Sequence, residues 1–299
     1  MTMLVIGSRG SPLALWQSRW VASQLATQGI ETRIEIIKTT GDKITDVALS
    51  KVGAKGLFTK ELEDALLAGQ IDLAVHSLKD MPTALPTGLM LAAIPEREDP
   101  RDVLVGSTLD GLAQGARVGT SSLRREAQLR ARRPDLIVEP VRGNLDTRLR
   151  KVEEGRYDAI VLAAAGLRRL GLESRITELL SFEIMCPAVG QGALAIETRE
   201  DSKIGPLLNH APTRAAVTAE RALLAGLGGG CQVPIGAHAR IHDATLHLLA
   251  VAASPDGSTV ILRAASGPVT DAVAIGEQLA RELLDAGARE ILDAVYGAP

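Results

Sequence analysis

The sequence is poor in aromatic residues and carries no excess of positive charge. Phe, Trp and Tyr together account for 2% of its 299 residues, so few rings are available to stack on unpaired nucleobases. The formal net charge is −3, so neither a nucleic acid nor an anionic membrane would meet an overall positive field. Both shortages argue against a nucleic-acid-binding protein and against a protein that works on a membrane surface.

Long apolar runs and a secretion signal are also missing. No apolar stretch approaches the length that a bilayer requires, and the N-terminus lacks a basic segment, so 3–7 is predicted to be a first strand. The two cysteines, Cys186 and Cys231, fit a reducing compartment better than a disulfide scaffold. We therefore expect a cytoplasmic protein in which Cys186 is a small buried residue and Cys231 a thiol in a glycine-rich loop.

Motifs for phosphate and metal binding are absent. The sequence has no G-x-x-x-x-G-K-[ST] and no G-x-G-x-x-G at a strand–helix turn, and 52–56 imitates such a loop without the flanking strand. His238 and His242 flank a strand-like stretch, and on a strand they would stand ~13 Å apart, too far to share an ion. We therefore expect no metal, and carboxylates rank above nucleotides as ligands.

The residues that are present predict an α/β protein with real cores. Hydrophobic residues make up 46% and charged residues 23%, and the length suits two or three domains. Hydrophobic periodicity predicts strands at 3–7, 33–38, 71–75, 136–141, 159–163 and 193–197, another ending near 118, and helices at 11–29, 58–68, 122–132 and 144–154. The strand at 193–197 is expected to return to the first sheet.

Three further segments complete the expected organisation. Residues 39–56 lack a sustained period and are interpreted as a mobile loop, although a plain solvated connection is the commoner case. Prolines cluster at 82–100 and predict a domain crossing. From 213 the pattern becomes a helix (213–227), a hairpin (246–253 and 259–265 around the turn 254–257) and a closing helix (273–286), which predicts a separate α+β module.

Basic residues recur where predicted strands end. They are Arg9, Lys79, Arg124, Arg125, Arg142 and Arg148. Ligands of open α/β sheets sit beyond the carboxyl ends of the strands, where helix N-termini already offer N–H groups to an anion. Any one of these cations is best explained as an ordinary solvated charge. Several together, on a protein of net negative charge, predict a site for carboxylates or phosphates.

One acid, Asp80, lies among these cations. As an isolated residue it is most simply a turn aspartate before Pro82. Beside Lys79 its carboxylate is expected to stay ionised. It would then stabilise a developing cation, or pass a proton if burial offsets the lysine.

Several segments, in order and at fitting separations, resemble porphobilinogen deaminase, also called hydroxymethylbilane synthase. They are SRGSPLA (8–14), KGLF (55–58), AVHSLKD (74–80), EREDPRD (96–102), GTSSLRR (119–125), ER (220–221) and GGCQVP (229–234). The resemblance covers nearly the whole chain, and no departure falls on a position that carries chemistry.

The resemblance implies two similar α/β domains around a cleft, as in periplasmic binding proteins, and a small C-terminal α+β domain that carries the cofactor cysteine. The expected boundaries are 1–94 with 189–208 for domain 1, 97–186 for domain 2 and 212–299 for domain 3. It further implies a monomer whose substrate is porphobilinogen. The absence of nucleic acid and membrane as partners is expected from the charge and the few aromatic residues.

The implied chemistry is the stepwise, deaminating condensation of four porphobilinogen molecules onto a dipyrromethane cofactor, releasing hydroxymethylbilane and ammonia. The cofactor would be held by a thioether to Cys231. Asp80 would be catalytic, beside the pyrrole nitrogens. The cofactor-binding residues would be Ser77, Lys79, Thr120, Ser122, Arg124, Arg125, Arg142 and Arg148. The substrate-binding residues would be Arg9, Ser11, Lys51, Lys55, Arg142, Arg148 and Arg169, with Lys51 and Lys55 on the mobile loop.

Two other classes of protein remain open on the residues alone. A non-enzymatic solute-binding protein also has two α/β domains around an anion cleft, although the missing signal sequence and the third domain with Cys231 count against it. A nucleotide-dependent enzyme is a more distant alternative, because no nucleotide motif is present.

Overall fold

The computed structural model describes residues 3–43, 56–228 and 233–296. The chain divides into two compact units, Met1–Glu98 with Ala193–Arg214 and Asp99–Gly192 with Ala215–Pro299. Within the described ranges, no helix combines the length and apolar character that crossing a bilayer requires. The three-domain boundaries expected from the sequence stay a prediction.

The strands, in chain order, are β1 (Leu4–Ser8), β2 (Thr32–Ile36), β3 (Leu73–Ser77), β4 (Leu89–Ala93), β5 (Asp102–Val105), β6 (Arg117–Gly119), β7 (Ile137–Glu139), β8 (Ala159–Ala163), β9 (Glu178–Leu179), β10 (Leu194–Arg199), β11 (Ile235–His242), β12 (Thr245–Ala253) and β13 (Val260–Pro268). The helices are α1 (Pro12–Ala26), α2 (Thr40–Lys43), α3 (Lys60–Leu67), α4 (Leu123–Arg132), α5 (Leu145–Glu153), α6 (Ala164–Arg169), α7 (Gly205–Leu208), α8 (Ala211–Gly226), α9 (Ala272–Leu283) and α10 (Arg289–Tyr296). Short 3₁₀ turns lie at Leu78–Asp80, Glu173–Arg175 and Val269–Asp271.

The first unit is built on a five-stranded sheet in the order β2-β1-β3-β10-β4. Strands β2, β1 and β3 are parallel, and β10 runs antiparallel to both of its neighbours. The prediction that the segment at 193–197 returns to the first sheet is therefore confirmed. Because β1 and β3 are parallel neighbours, the residues that follow them meet at one edge of the sheet.

Helices cover both faces of this sheet. On one face α1 buries Val21 and Leu25 against Ile6 and Leu73. On the other face α3 buries Leu62 and Leu66. Gly7 allows this second approach, because a Cβ there would collide with the side chains of Leu62 on α3 and of Ile71. The turn after β1 is thereby fixed between two helices.

The sheet of the second unit has the order β7-β6-β8-β5-β9. Strands β7, β6 and β8 are parallel, and β5 runs antiparallel to β8 and to β9. Both five-stranded sheets thus consist of three parallel strands, one reversed strand and an edge strand. The prediction of two similar α/β units is confirmed.

The second unit also contains a smaller α+β module, as predicted. Strands β11, β12 and β13 form an antiparallel meander. One face of this sheet buries Leu248 against Leu223 of α8 and Leu279 of α9. Gly276 of α9 lets these helices approach closely, because a Cβ there would meet the carbonyl oxygen of Ala219.

Some elements differ from the sequence prediction. Strands β4, β5 and β9 were not predicted. The segment 39–56, interpreted from the sequence as a mobile loop, begins with the helical turn α2, and its residues 44–55 lie outside the described residues. The closing helix extends beyond 286, because a π turn at Leu284–Ala288 with Gly287 at φ 104° leads into α10. His238 and His242 lie inside β11 rather than beside a strand, and His238 stacks on Phe182 with ring centroids 4.0 Å apart.

Candidate functional site

The predicted site residues fall into three groups. The first unit contains Arg9, Ser11, Ser77, Lys79 and Asp80. The second unit contains Thr120, Ser122, Arg124, Arg125, Arg142, Arg148 and Arg169. Lys51, Lys55 and Cys231 lie outside the described residues.

A pocket in the first unit brings together four of the predicted residues. Arg9, Ser11, Ser77 and Asp80 all line it. Arg9 follows β1, whereas Asp80 ends the 3₁₀ turn that follows β3, so the parallel strands deliver both to the same sheet edge. Lys79, on the same turn, is half-buried and does not line this pocket.

Arg9 is held in place by an acid and a ring that the sequence prediction missed. Its Nε donates to Asp42 Oδ1 at 3.1 Å, and its guanidinium carbon lies 4.1 Å from the centroid of the Phe58 ring. Partial burial raises the pKa of Asp42, but hydrogen bonds from Arg9 and Thr39 together with the charge of Arg9 bring it below its usual value. The guanidinium is therefore preorganised at the pocket before any ligand arrives.

Two serine hydroxyl groups add hydrogen-bonding capacity to this pocket. Ser11 is the N-cap of α1, and its Oγ accepts a hydrogen bond from the backbone N of Ala14 at 3.3 Å. Ser77 Oγ accepts from Gln17 Nε2 at 2.9 Å. Each hydroxyl hydrogen can still donate, so both serines can bind a carboxylate beside Arg9.

In the second unit, Arg124 and Arg125 converge on the buried acid Asp102. Arg124 Nη1 donates to Asp102 Oδ2 at 2.7 Å, and Arg125 Nη2 donates to Oδ1 at 2.7 Å. Gln191 Nε2 donates to Oδ1 at 2.8 Å. The arginines are 4% and 7% exposed and Asp102 is 0% exposed. Two guanidinium groups around one carboxylate leave one positive charge in excess.

Arg148 is a further arginine of the second unit whose pKa is affected by the charge of Arg125. Burial and the charges of Arg125 and Arg142 lower the pKa of Arg148 to about 10. Arg148 Nε donates to the carbonyl oxygen of Gly143 at 2.8 Å, which fixes the side chain over the loop that begins α5. The group is a cationic cluster in which like charges already repel one another, so a bound anion would relieve the repulsion.

The start of α4 adds hydrogen-bond donors to the second unit. Ser122 is its N-cap, and Thr120 Oγ1 accepts from the backbone N of Ser122 at 3.2 Å. The N-terminus of this ten-residue helix presents backbone N–H groups and a positive dipole.

Arg169 is also buried and donates from Nη2 to the carbonyl oxygen of Gly192 at 2.6 Å, so it holds the segment that precedes β10.

Of the two cysteines, Cys186 lies within the described residues and Cys231 lies outside them. Cys186 is almost completely buried, as predicted. Its carbonyl oxygen accepts hydrogen bonds from Arg124 Nη1 at 2.6 Å and from Gln128 Nε2 at 3.1 Å. Among the residues that the structure describes, no three His, Cys, Asp or Glu side chains come together as ligands of a metal ion.

Comparison with known sequences gives one consistent result. Residues 4–204 match the family model "Porphobilinogen deaminase, dipyromethane cofactor binding domain", and residues 214–285 match "Porphobilinogen deaminase, C-terminal domain". The chain is 53% identical to porphobilinogen deaminase of Chromobacterium violaceum over 308 residues, covering 100% of both chains. It is 54% identical to that of Syntrophotalea carbinolica, covering 99% of this chain and 97% of the relative.

Solved structures give weaker matches. The second substrate-binding domain of a putative amino acid ABC transporter from Streptococcus pneumoniae is similar with a TM-score of 0.45 at 12% identity, covering 76% of this chain and 95% of that one. A periplasmic substrate-binding protein from Coxiella burnetii has a TM-score of 0.43 at 15% identity, covering 69% and 90%.

Proposed function

Because the chain belongs to the porphobilinogen deaminase family, we propose that it is the transferase that condenses four porphobilinogen molecules into linear hydroxymethylbilane. Ammonia leaves at each condensation, and growth starts from a covalently bound dipyrromethane cofactor. Porphobilinogen and its oligomers carry carboxylate side chains, so each addition raises the negative charge that the protein must hold.

The observation that carries this proposal is the cationic cluster of the second unit. Burial, followed by the nearby charges of Arg125 and Arg142, lowers the pKa of Arg148 to about 10. Mutual repulsion of this kind costs stability in the folded protein, and a polyanionic ligand offsets it. A small neutral substrate would gain nothing from such a cluster.

The residues present fit a dipyrromethane group. When bound, the cofactor supplies the pyrrole carbon to which the first substrate is joined. Thr120, Ser122, Arg142 and Arg148 would hold its carboxylates, with the backbone N–H groups at the start of α4. Arg124 and Arg125 would add one net charge, since Asp102 neutralises the other. Cys231 would be the point of attachment.

The pocket of the first unit would receive the incoming substrate. Arg9 and Ser11 would bind its carboxylates, because both present donors to the same hollow. Asp80 would stabilise the cation that develops as ammonia leaves, and would hold or release a proton there. Ser77 and Lys79 would bind cofactor carboxylates, and Arg169, Lys51 and Lys55 would bind substrate.

A non-enzymatic solute-binding role is not favoured, because the matched relatives carry the name of an enzyme over the full length of the chain. The cytoplasmic location and the monomeric state stay predictions.

Intact mass spectrometry tests the proposal directly. The purified protein should exceed the mass of its bare chain by one dipyrromethane, and Cys231→Ser should show the bare mass. Cys186→Ser is the matched control, because it removes the other thiol and should keep the added mass. A wild-type protein of bare mass that also fails to acquire the group from porphobilinogen would contradict the proposal, as would added mass on Cys231→Ser.

A further inference from the structure

The first unit contains a buried ionisable cluster outside the residues assigned above. It consists of Glu63 on α3, His76 on β3 and Glu197 on β10, which are 7%, 5% and 0% exposed. His76 Nε2 lies 3.0 Å from Glu197 Oε2, within hydrogen-bond distance. Two carboxyl groups and one imidazole in a core are costly unless their charges are paired, so their presence needs an explanation.

Strand register brings the cluster together. Glu197 pairs with Ala74 and His76 pairs with Ala195, so His76 and Glu197 are diagonal neighbours on one face of the sheet. Helix α3 packs on this face through Leu62 and Leu66 and carries Glu63 against it.

The cluster has fewer hydrogen-bond donors than its oxygens require. Glu63 Oε1 and Glu197 Oε1 are both buried, and neither has a hydrogen-bond partner within the described parts of the chain. A buried acceptor without a donor costs about 1–3 kcal/mol, more if it is charged. A proton on one of the two carboxyl groups removes one of the two negative charges and supplies a donor.

The surroundings indicate Glu63 as the carboxyl group that holds this proton. Burial has the largest effect on the pKa of Glu63 and raises it above the usual 4.5. The Thr59 hydroxyl and His76 lower it, whereas the charges of Glu197 and Asp64 raise it, and the net shift is upward. Arg199, the other charged residue that β10 directs toward α3, donates to the carbonyl oxygens of Leu66 and Ile71.

The cluster reaches the pocket through one residue. His76 lines the same hollow as Asp80 and Arg9. We propose that Glu63, Glu197 and His76 form one proton-holding unit that fixes the imidazole of His76 in the pocket wall beside Asp80. The inference rests on the proposed function, in which Asp80 acts at the reacting centre, and its members are positioning residues.

The proton on Glu63 keeps this side chain neutral, and the orientation of His76 depends on that neutrality. While Glu63 is neutral, His76 has a single carboxylate partner, Glu197, and one orientation. When Glu63 ionises, a second carboxylate competes for the imidazole and repels Glu197, so the pocket wall loosens. Turnover should therefore fall as pH rises through the pKa of Glu63.

Two amide substitutions separate the parts of the unit. Glu63→Gln keeps the shape of a neutral acid and cannot ionise, so the ratio of its kcat to the wild-type kcat should rise at least threefold as pH rises from the usual pKa of 4.5 through the raised pKa of Glu63. Glu197→Gln removes the negative charge beside His76 and should lower kcat at least tenfold across the same pH range, with KM changed less than threefold. Asp110→Asn, an exposed acid of the second unit, is the control and should give a flat ratio.

Urea unfolding gives a readout that does not depend on activity. Because the pKa of Glu63 is raised in the folded state, its contribution to stability is present at low pH and is lost as pH rises through the folded pKa. Glu63→Gln should therefore become more stable relative to wild type as pH rises, whereas Asp110→Asn should not.

Each outcome decides a part of the inference. If neither the kcat ratio of Glu63→Gln to wild type nor their difference in stability changes with pH, Glu63 does not hold the proton. If the kcat of Glu197→Gln is within threefold of the wild-type kcat, the positioning role is wrong. If Glu197→Gln does not fold, His76→Asn carries the same activity test. A wild-type protein that releases no ammonia from porphobilinogen contradicts the proposed function, while the urea measurement still decides whether the cluster holds a proton.

Discussion

Arg124 Nη1 donates a 2.7 Å hydrogen bond to Asp102 Oδ2, and both side chains are almost completely buried. The arginine predicted from the sequence to bind an anion is thus already bound to an anion of the chain itself. Asp102 begins β5 and accepts from Arg125 as well, so it fixes the start of α4 against the sheet. Asp102 therefore positions both arginines and neutralises one of their two charges.

Replacing Asp102 with Asn should destabilise the protein strongly. The change leaves two buried guanidinium groups without a counter-charge, which costs about 3–5 kcal/mol in comparable buried pairs. Urea unfolding at neutral pH measures the loss in free energy of unfolding. Asp110→Asn, an exposed acid of the same unit, should change stability by less than about 0.5 kcal/mol. Equal stabilities for the two variants would show that the buried pair contributes little.

The same acid predicts a pH dependence. Burial alone would raise the pKa of Asp102, but the charges of Arg124 and Arg125 outweigh it and lower the pKa to about 2 from the usual 3.8. Because the folded-state pKa is lowered, the stabilisation that ionised Asp102 contributes is complete above pH 3.8 and is lost as the pH falls toward 2. The stability gap between wild type and Asp102→Asn should therefore narrow below about pH 4. A gap that stays constant down to pH 2 would contradict the pairing.

The sequence predicted most of the fold, because hydrophobic periodicity is a local property. The predicted strands at 3–7, 71–75 and 159–163 agree with the structure to within about two residues. The prediction that β10 returns to the first sheet is also confirmed. Strands β5 and β9, which were not predicted, have four and two residues, too few for a period to be recognised.

The candidate site was predicted less completely, because its internal partners are far apart in sequence. Asp102 is 22 and 23 positions from its two arginines, and Asp42 is 33 positions from Arg9, so no motif joins them. The buried cluster left a weak signal that was not used. His76 and Glu197 are ionisable residues that directly follow the apolar runs at 73–75 and 194–196, a pattern that predicts a buried polar contact.

Asp80→Ala should keep the fold and nearly abolish turnover. Asp80 is exposed, so its loss removes little packing, whereas the pocket loses the carboxylate that we propose to stabilise the developing cation. Single-turnover ammonia release should fall by about 10²–10⁴-fold, the range typical of one lost acid–base or electrostatic group. Ammonia release at the wild-type rate from a folded Asp80→Ala protein would refute the assignment, and Asp110→Ala serves as the control for the loss of one surface charge.

Arg148→Gln should weaken anion binding without destabilising the empty protein. In the folded chain the charge of Arg148 is opposed by burial and by Arg125 and Arg142, so its removal relieves repulsion. Titration calorimetry with a tricarboxylate, in a Cys231→Ser background that lacks the cofactor, should show at least tenfold lower affinity. Urea unfolding of the same protein should show equal or greater stability.

Arg150→Gln provides the matched comparison for Arg148. Arg150 lies two residues further along α5, is exposed, and lies 3.8 Å from Glu154 rather than in the cationic cluster. Its substitution should change tricarboxylate affinity by less than about twofold, since exposed pairs contribute little. If both substitutions weaken binding equally, the effect is one of net charge and the cluster has no special role.

Ser11 should serve both as a helix cap and as a substrate ligand, and substitutions can separate the two roles. Ser11→Ala removes the hydrogen bond to Ala14 N and should cost about 1 kcal/mol of stability, as should Asn144→Ala, which removes the cap of α5. Ser11→Asp preserves a good cap but places a negative charge in the pocket with Arg9 and Asp80. Its free energy of unfolding should stay close to that of wild type while KM for porphobilinogen rises at least tenfold, because the substrate is itself an anion. A Ser11→Asp protein with wild-type KM would restrict Ser11 to capping.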